Sequence, residues 1–408
     1  MRIRRTSPAG TARLALAALG TAAFLLTSSA PAGAHGPRPS AAPGTLVAVE
    51  EEGRLSAADV SEALRNAGID TTRVRYGATW YRVLYRTTGS DGSPTTASQL
   101  VVLPHSRETS LPVVSWLHGT TVHRGEVASV NPASNDRRAA LLLASTGRAV
   151  SAPDYVGLGR GEGFHPYGDT AATVSASVDA LRAARTLALG AGRTLRPEVA
   201  VSGFSQGAQA TMTVGRALQR KGGAPHFRLG ALAPVSGPFH VSAFEAAAAD
   251  DAVAHSSLYL AYFVTAWNRM YGLYDTPSEA FRAPYDQRIE ELFDGNHTAR
   301  ELMAALPATS KELFTAAFLE RIRNPDGVLA RELRRLDRVC DWRPDAPVHL
   351  FHARGDRDVA FAHAEHCAAQ LEGRRADHRL TDLGDLDHNT SVKRALPRIV
   401  DFLDRQVR

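Results

Sequence analysis

The sequence predicts an α/β fold with one mostly parallel sheet that is covered by helices on both faces. Short apolar runs suited to buried strands alternate with segments of helical periodicity, and a two-stranded hairpin precedes them. The 408 residues suffice for one large domain with an insertion, or for two domains. With 44% hydrophobic and 22% charged residues, the composition excludes a disordered chain or a coiled coil.

The first residues have the three parts of an export signal. Residues 2–5 are positively charged, residues 14–26 form a short apolar stretch, and residues 32–34 read Ala-Gly-Ala, as at a cleavage site. The apolar stretch is shorter than the roughly 20 residues that a membrane anchor needs. We therefore expect residues 1–34 to be removed and the mature protein to be secreted, beginning with a Pro-rich leader at 35–45.

Charge and cysteine content narrow the class of protein further. The formal net charge is +5, but four arginines of the export signal supply most of it, so the rest is nearly neutral. A nearly neutral chain without a basic stripe is not expected to bind nucleic acid. Cys340 and Cys367 are the two cysteines, and an even number in an exported chain favours one disulfide over two buried free thiols.

The first predicted elements are a helix and a hairpin. Ser56 is expected to cap a short helix that runs through Ala67, and strands at Trp80–Arg86 and Ala97–Leu103 flank a turn rich in Gly and Ser. Buried strands follow at Leu111–Leu117, Ala149–Ala152, Val199–Ser202, Leu229–Ala233 and Val348–His352, with a short strand-like run at Arg379–Leu383. Helices are predicted at Asp136–Ser145, Ala172–Leu189, Ala208–Arg220, Ala362–Leu371 and Lys393–Val407.

Residues 240–336 interrupt this alternation. They contain helical stretches and no good strand, and the stretch 256–271 carries more apolar surface than one isolated helix can bury. This interval is either a helical subdomain packed on the sheet or a cap over a site at the sheet edge, and both descriptions can hold. The predicted core is then divided into a first part, 46–239, and a second part, 337–408.

The most informative motif is Gly203-Phe204-Ser205-Gln206-Gly207, which lies between a β-branched strand and an Ala-rich helix. A G-x-S-x-G sequence in that position forms a sharp turn that exposes a nucleophilic serine. The two glycines leave out side chains that would collide in such a turn. Ser205 is therefore the candidate nucleophile, and Gly203 and Gly207 complete its nucleophile elbow.

A serine nucleophile needs a base, and the base needs an acid that orients it. In a fold of this kind the chain order is serine, acid, histidine. Asp356 follows the predicted strand at 348–352 and is the preferred acid, with Asp358 as the alternative. His388 is the candidate base, because it follows a short strand and precedes the last predicted helix.

Acyl transfer also requires hydrogen-bond donors for the oxyanion. The candidates are the backbone N–H of Gln206 and that of Thr120, in the loop after the strand at 111–117, where a glycine permits close approach. Asp154, after the following strand, is expected to hold its loop by hydrogen bonds. His363 and His366 share a helix face but have no third ligand at useful spacing, so neither a metal nor a cofactor is expected.

Together these residues resemble the α/β-hydrolase superfamily and, within it, the secretory lipases of the yeast lipase A type and related actinobacterial secreted hydrolases. The likeness covers about residues 75–407. The acid motif of the family is H-G-x-x-D-x-x-V-P, whereas residues 352–360 carry Ala at the Gly and Pro positions. The other matching segments are His118-Gly119-Thr120, Pro153 to Gly159, His165-Pro166-Tyr167, the Ser205 elbow, Cys340 to Pro344 and Asp387-His388.

The resemblance implies an α/β-hydrolase fold in which the helical insertion shapes the acyl pocket. Together with the residues, it predicts a secreted serine hydrolase that cleaves carboxylic esters, as a lipase or an esterase, through an acyl-enzyme. Its partner would be a small-molecule or lipid ester, with at most transient contact with a lipid interface. The alternatives are a serine exopeptidase, which would need carboxylates to hold a substrate amine, and a non-catalytic binding protein of the same fold. Acyl chain length and oligomeric state do not follow from composition.

Overall fold

A computed structural model of the chain describes residues 42–406. The predicted export signal, most of the Pro-rich leader and the last two residues lie outside this range. Within it, no helix is long and apolar enough to cross a membrane. Nine strands of the described chain form one sheet. They are β1 (Leu46–Leu55), β2 (Ala78–Thr88), β3 (Pro94–Pro104), β4 (Ser110–Leu117), β5 (Ala149–Val156), β6 (Thr194–Phe204), β7 (Arg228–Val235), β8 (Val348–His352) and β9 (His378–Asp382).

The sheet order is β1-β2-β3-β5-β4-β6-β7-β8-β9. The first three strands are antiparallel, and β3 also pairs antiparallel with β5. From β5 to β9 every neighbouring pair is parallel. This topology confirms the predicted fold class, and it brings the carboxyl ends of β4, β6, β7 and β8 to one edge of the sheet, where ligands bind in open α/β folds.

Each apolar run that predicted a strand lies within an observed strand, but the prediction missed β1. This strand carries three consecutive glutamates, and most of its residues are exposed, so it has no apolar pattern to reveal it. It is an edge strand that pairs with β2, where the Arg82 guanidinium contacts the carboxylates of Glu50 and Glu52. Cross-strand ion pairs and backbone hydrogen bonds hold this strand in the sheet. It lacks the buried apolar face by which a strand is recognised from its sequence pattern.

Helices cover both faces of the sheet. One apolar cluster joins the sheet to α3, α4 and α13, and a second joins the other face to α1, α2 and α14. The first helix begins after Ser56, whose side chain forms the predicted cap. The helices are α1 (Ala57–Asn66), α2 (Asn135–Ser145), α3 (Thr170–Gly190), α4 (Gln206–Gln219), α5 (Val241–Ala249), α6 (Ser256–Tyr271), α7 (Pro277–Ala280), α8 (Ile289–Leu292), α9 (Ala299–Ala305), α10 (Ser310–Leu313), α11 (Ala316–Arg323), α12 (Gly327–Leu336), α13 (Ala362–Gly373) and α14 (His388–Gln406), with 3₁₀ turns at Arg124–Glu126 and Tyr285–Gln287.

The interval 240–336 is helical, as expected, and holds α5 to α12. These helices share an apolar cluster of their own, with α6 at its centre contributing Leu260, Phe263 and Trp267. The apolar surface of α6, too large for an isolated helix to hide, is therefore buried against its neighbours within the insertion. The division into domains at 240 and 336 stays a prediction.

Cys340 and Cys367 form the expected disulfide, and both are fully buried. The bond joins the segment after α12 to α13, so it lies within the second part of the core, close to where the helical interval ends. Because 27 residues separate the two cysteines, the bond closes a loop that the unfolded chain would otherwise explore freely.

We expect reduction of this disulfide to lower the free energy of unfolding by about 3 kcal/mol, the loop-entropy value for this separation. The measurement is urea unfolding of the wild type with and without a reductant, beside the C340A/C367A variant. The reductant should leave the variant unchanged, which makes it the matched control. An equal free energy of unfolding in reduced and oxidised wild type would contradict the prediction.

Candidate active site

Ser205 occupies a strained turn between β6 and α4. Its backbone angles are φ 56° and ψ −120°, outside the regions that L-residues usually adopt. The Ser205 N–H donates a hydrogen bond to the Val235 carbonyl at the end of β7, 2.9 Å away. The neighbouring strand thereby helps to hold the serine in this conformation at the carboxyl edge of the sheet.

The two glycines of the turn are required by close backbone contacts. A Cβ atom at Gly203 would lie 2.4 Å from the Gly207 carbonyl oxygen, and one at Gly207 would lie 2.0 Å from the Leu117 carbonyl oxygen. Atoms cannot approach so closely without backbone movement. The sequence pattern G-x-S-x-G therefore has a direct steric cause, since β4, β6 and α4 meet here without side chains between them.

His388 lies beside this turn and pairs with Asp356. The ring centroids of His388 and Phe204, the residue before the serine, are 4.5 Å apart. His388 Nδ1 donates to Asp356 Oδ2 at 2.6 Å, and both residues are buried. This bond assigns the proton to Nδ1 and leaves Nε2 able to act as a base. The histidine is the first residue of α14 rather than part of a preceding loop, because Asp387 accepts from Thr390 N–H and caps the helix earlier than predicted.

The carboxylate of Asp356 is held from its other side by the backbone. Its Oδ1 accepts hydrogen bonds from the N–H groups of Asp358 and Val359, at 3.0 and 2.9 Å. His352 Nε2 donates to the Val359 carbonyl at 2.8 Å and lies 3.6 Å from Asp356 Oδ2. Asp358 instead accepts from the Tyr259 hydroxyl at 3.0 Å. Of the two candidate acids, the structure pairs Asp356 with the histidine.

The loop after β4 lies against the serine. A Cβ atom at Gly119 would be 3.3 Å from Ser205 Cβ, so the absence of a side chain there permits the approach. The imidazole of His118 lies within hydrogen-bond distance of the carbonyl oxygens of Gly119 and Asp154. Thr120 lines the same cavity as Ser205 and Gln206, so both residues that carry the candidate oxyanion donors border the cavity of the nucleophile.

Asp154 lies within β5 rather than in the loop after it, and its hydrogen bonds join β5 to β3 and to the segment before α2. Its Oδ2 accepts from the hydroxyls of Ser98 and Ser129 at 2.6 and 2.5 Å, and the Ser129 N–H lies 3.3 Å from Oδ1. Complete burial raises the pKa of this carboxyl, an effect that the hydrogen bonds oppose. Asp154 therefore supports the loops behind the site and does not enter the cavity.

A cavity that is partly open to solvent lies beside Ser205, between the sheet edge and the helical interval, with a volume of about 490 Å³ including its open side. Its walls combine apolar side chains with polar ones, among them Gln206, Gln209 and Glu245. The first two lie one helical turn apart on α4, and Glu245 faces them from α5. Its other lining residues are Thr120, Tyr167, Gly168, Pro238, Val241, Phe244, Tyr259, Phe263, Leu336 and Val359.

His165 fixes the side chain of Gln206. Its Nδ1 donates to the Val156 carbonyl at 2.9 Å, which leaves Nε2 to accept from Gln206 Nε2 at 3.4 Å. Burial lowers the pKa of His165 to about 3, so the imidazole is neutral at physiological pH. His165 thus holds the Gln206 side chain in place in the cavity wall. The sequence analysis named this histidine only within a segment that resembles the secretory lipases.

Helix α6 contacts the core loops around the site through three polar side chains. The Tyr262 hydroxyl donates to the Thr121 carbonyl at 3.0 Å, and Trp267 Nε1 donates to the Tyr167 carbonyl at 3.1 Å. Tyr259 is the third, through its bond to Asp358. Since each bond reaches a loop that borders the cavity, α6 forms part of the wall over the serine.

The histidine pair on α13 has other partners. His363 Nδ1 accepts from the His240 N–H at 3.2 Å, and His366 Nε2 donates to the Asp337 carbonyl at 2.9 Å. Among residues 42–406, no group of three or more His, Cys, Asp or Glu side chains is arranged to hold a metal ion.

Sequence reasoning did not single out Gln209 or Glu245. Gln209 follows Gln206 by three residues, a spacing that places both on one face of α4. Glu245 is the one charged residue of the apolar helix α5, so an isolated charge inside an Ala-rich segment was the available signal. Neither belongs to a motif, and only the folded chain brings the two side chains into one cavity.

The fold and the elbow at its sheet edge define the chain as an α/β-hydrolase. Solved structures place it more narrowly. The LipA esterase of Xanthomonas oryzae, described as degrading rice cell wall, is 26% identical in its ligand-bound form, with a TM-score of 0.82 over 90% of this chain and 100% of that one. A Legionella pneumophila protein provisionally assigned as a hydrolase is 28% identical, with a TM-score of 0.81 over 89% and 98%. The chain is accordingly similar to an esterase and to a second protein of this fold.

Lipase A of Candida antarctica, in its closed state, shares the fold at 14% identity, with a TM-score of 0.62 over 90% of this chain and 82% of that one. No protein-family model matches the sequence, and no curated protein matches it. The likeness to known proteins therefore rests on structural similarity.

The buried neutral imidazole of His165 predicts a loss of stability in acid. The unfolded chain takes up a proton near pH 6.5, whereas the folded chain does so only near pH 3, so protonation favours the unfolded state between these values. From pH 7 to pH 5 this one group should lower the free energy of unfolding by about 2 kcal/mol.

Urea unfolding of wild type and H165N at both pH values measures the contribution. The asparagine keeps an N–H donor for the Val156 carbonyl but does not titrate, so the variant should lose less stability on acidification. An equal loss in the two proteins would show that His165 is not the group responsible.

Proposed function

We propose that the protein is a serine hydrolase that cleaves carboxylic esters through Ser205, His388 and Asp356. The observation that carries the proposal is the buried hydrogen bond between His388 Nδ1 and Asp356 Oδ2 beside the strained Ser205 turn. A serine hydroxyl is a weak nucleophile until a neighbouring base removes its proton. The similarity to an esterase and to a lipase-type fold supports the same reaction class.

In this mechanism, Ser205 Oγ attacks the ester carbonyl carbon while His388 Nε2 accepts the hydroxyl proton. The negative charge that develops on the carbonyl oxygen is stabilised by the backbone N–H groups of Gln206 and Thr120, the former at the positive end of α4. His388 then gives its proton to the leaving alcohol. A water molecule, deprotonated by His388, releases the acid from the acyl-enzyme and restores Ser205. The reaction needs no cofactor.

Asp356 has an electrostatic and a positioning role in these steps. Its carboxylate keeps the imidazole in the Nδ1–H tautomer and stabilises the imidazolium that forms on proton transfer. Because two backbone N–H groups occupy its other oxygen, the carboxylate cannot turn away from the histidine. The charge is therefore in place before the substrate binds, as electrostatic preorganisation requires.

We also propose that the protein is exported. The signal-like sequence of residues 1–34 supports this, as does the buried disulfide, which is typical of oxidising compartments.

The first test of the proposed reaction is hydrolysis of p-nitrophenyl esters from C2 to C16 by residues 35–408. The S205A variant should lose about 10³-fold or more of the wild-type kcat/KM, as expected when a nucleophile is removed. The chain-length optimum then separates an esterase from a lipase. Absence of turnover on every ester, with Ser205 labelled by a fluorophosphonate, would redirect the search to peptides.

The two neighbouring aspartates provide a matched comparison. D356N should lower kcat by about 10³- to 10⁴-fold, because the amide favours the wrong tautomer of His388. D358N weakens the hydrogen bond from Tyr259, which the amide oxygen can still accept, and should lower kcat by at most about tenfold. The kinetics of both variants are measured on one ester, with circular dichroism to confirm folding. A larger loss in D358N than in D356N would assign the acid to Asp358.

A further inference from the structure

Glu245 is a buried carboxyl group without a partner in the cavity that holds Ser205. The residue is 3% exposed, and its Oε2 has no hydrogen-bond partner within the described chain. Burial alone raises the pKa of this carboxyl well above its usual range, and no basic side chain offsets the effect. A protonated carboxyl can both donate and accept a hydrogen bond, but here it does so with no other residue.

On helix α4, two side-chain amides each have one buried atom without a hydrogen-bond partner. Gln209 Nε2 and Gln206 Oε1 are buried and have no hydrogen-bond partner among residues 42–406. The Gln206 side chain is held by His165, so its carbonyl oxygen remains available. All three side chains line the cavity beside the nucleophile, and together they have one N–H donor, one carbonyl acceptor and one carboxyl group without a partner in the described chain.

These groups discriminate between classes of ligand. A plain alkyl chain would match Val241, Phe244 and Phe263, but it would cover all three polar groups without giving them a hydrogen-bond partner, which is costly. An ammonium group would suit the carboxylate but would face the Gln209 N–H, a donor opposite a donor. A hydroxyl group both donates and accepts, so it can pair with the amide donor, the amide acceptor and the carboxyl group.

On the basis of the ester hydrolysis proposed above, we propose that this cavity binds an uncharged, hydroxyl-bearing group of the substrate, and that Glu245 selects for it. The group adjoins the scissile ester because Glu245 and Ser205 line one cavity of about 490 Å³. Glu245 takes no part in bond cleavage. It is a specificity-determining residue whose unfilled hydrogen bonds are completed by the substrate.

The test compares esters that differ by one hydroxyl group. For the acyl side the pair is p-nitrophenyl butyrate and p-nitrophenyl 3-hydroxybutyrate, and for the alcohol side it is propyl butyrate and glycerol monobutyrate. The wild type should favour the hydroxylated member of at least one pair by about tenfold or more in kcat/KM. The pair that shows the preference identifies which side of the ester enters the cavity.

Substitutions at Glu245 then assign the preference to this residue. E245L should lower the ratio of kcat/KM values by about tenfold or more, whereas E245Q, which still donates and accepts, should keep most of it. E62L, a change of the same type on the exposed side of α1, should leave the ratio at the wild-type value. E245L should also raise the melting temperature, because it removes a buried polar group that lacks a partner.

Three outcomes would overturn the proposal. If the wild type prefers neither hydroxylated ester, or if E245L keeps the wild-type ratio, the selective site is wrong although ester hydrolysis stands. If p-nitrophenyl 3-aminobutyrate is preferred over both acyl esters and E245Q loses that preference, Glu245 binds an ammonium group instead. If no ester is hydrolysed in a Ser205-dependent manner, the proposed function and the site proposed here fail together.

Discussion

The close approach of backbone at Gly203 and Gly207 is the constraint on which the site depends. The carbonyl oxygen of Leu117 fills the space that a side chain at either glycine would need, so β4, β6 and α4 converge without side chains between them. This convergence forces Ser205 into its unusual backbone conformation, which the bond to the Val235 carbonyl supports. The other groups of the site are then placed by neighbouring strand ends, which the parallel topology brings to the same edge.

Three buried carboxyl groups near this edge differ in how their hydrogen-bonding capacity is met. Asp154 accepts hydrogen bonds from two serine hydroxyls and stabilises the scaffold. Asp356 is satisfied by backbone N–H groups and by His388, so its charge is directed at the base. Glu245 has an oxygen without a partner in the described chain. Burial disfavours the charged form of a carboxyl group. The hydrogen-bond partners of each group therefore determine whether it stabilises the scaffold, orients a base or remains available to a ligand.

Most of the fold and much of the candidate site could be predicted from the sequence. Buried parallel strands are continuous apolar runs, and the Ser205 turn has a motif because sterics permit few residues there. The edge strand β1 could not be found, because it is held by hydrogen bonds and ion pairs to β2 rather than by a buried face. The choice between Asp356 and Asp358 could be made only once the path of the loop after β8 was known. The place of Glu245 in the cavity could be seen only once the position of α5 was known. Both depend on contacts between distant residues, for which a single sequence has no periodic signal.

The core and the helical insertion contribute different groups to the candidate site. The proposed nucleophile and acid lie in segments that follow β6 and β8, and the proposed base begins α14, so all three are placed by the core rather than by the insertion. The groups that would select a ligand come partly from α5 and α6, which reach the core loops through a few side-chain hydrogen bonds such as that of Tyr262. Changes within the insertion can therefore alter the shape and polarity of the cavity while the geometry at Ser205 is preserved. An insertion of this kind allows selectivity to vary independently of the chemistry, because the two depend on different contacts.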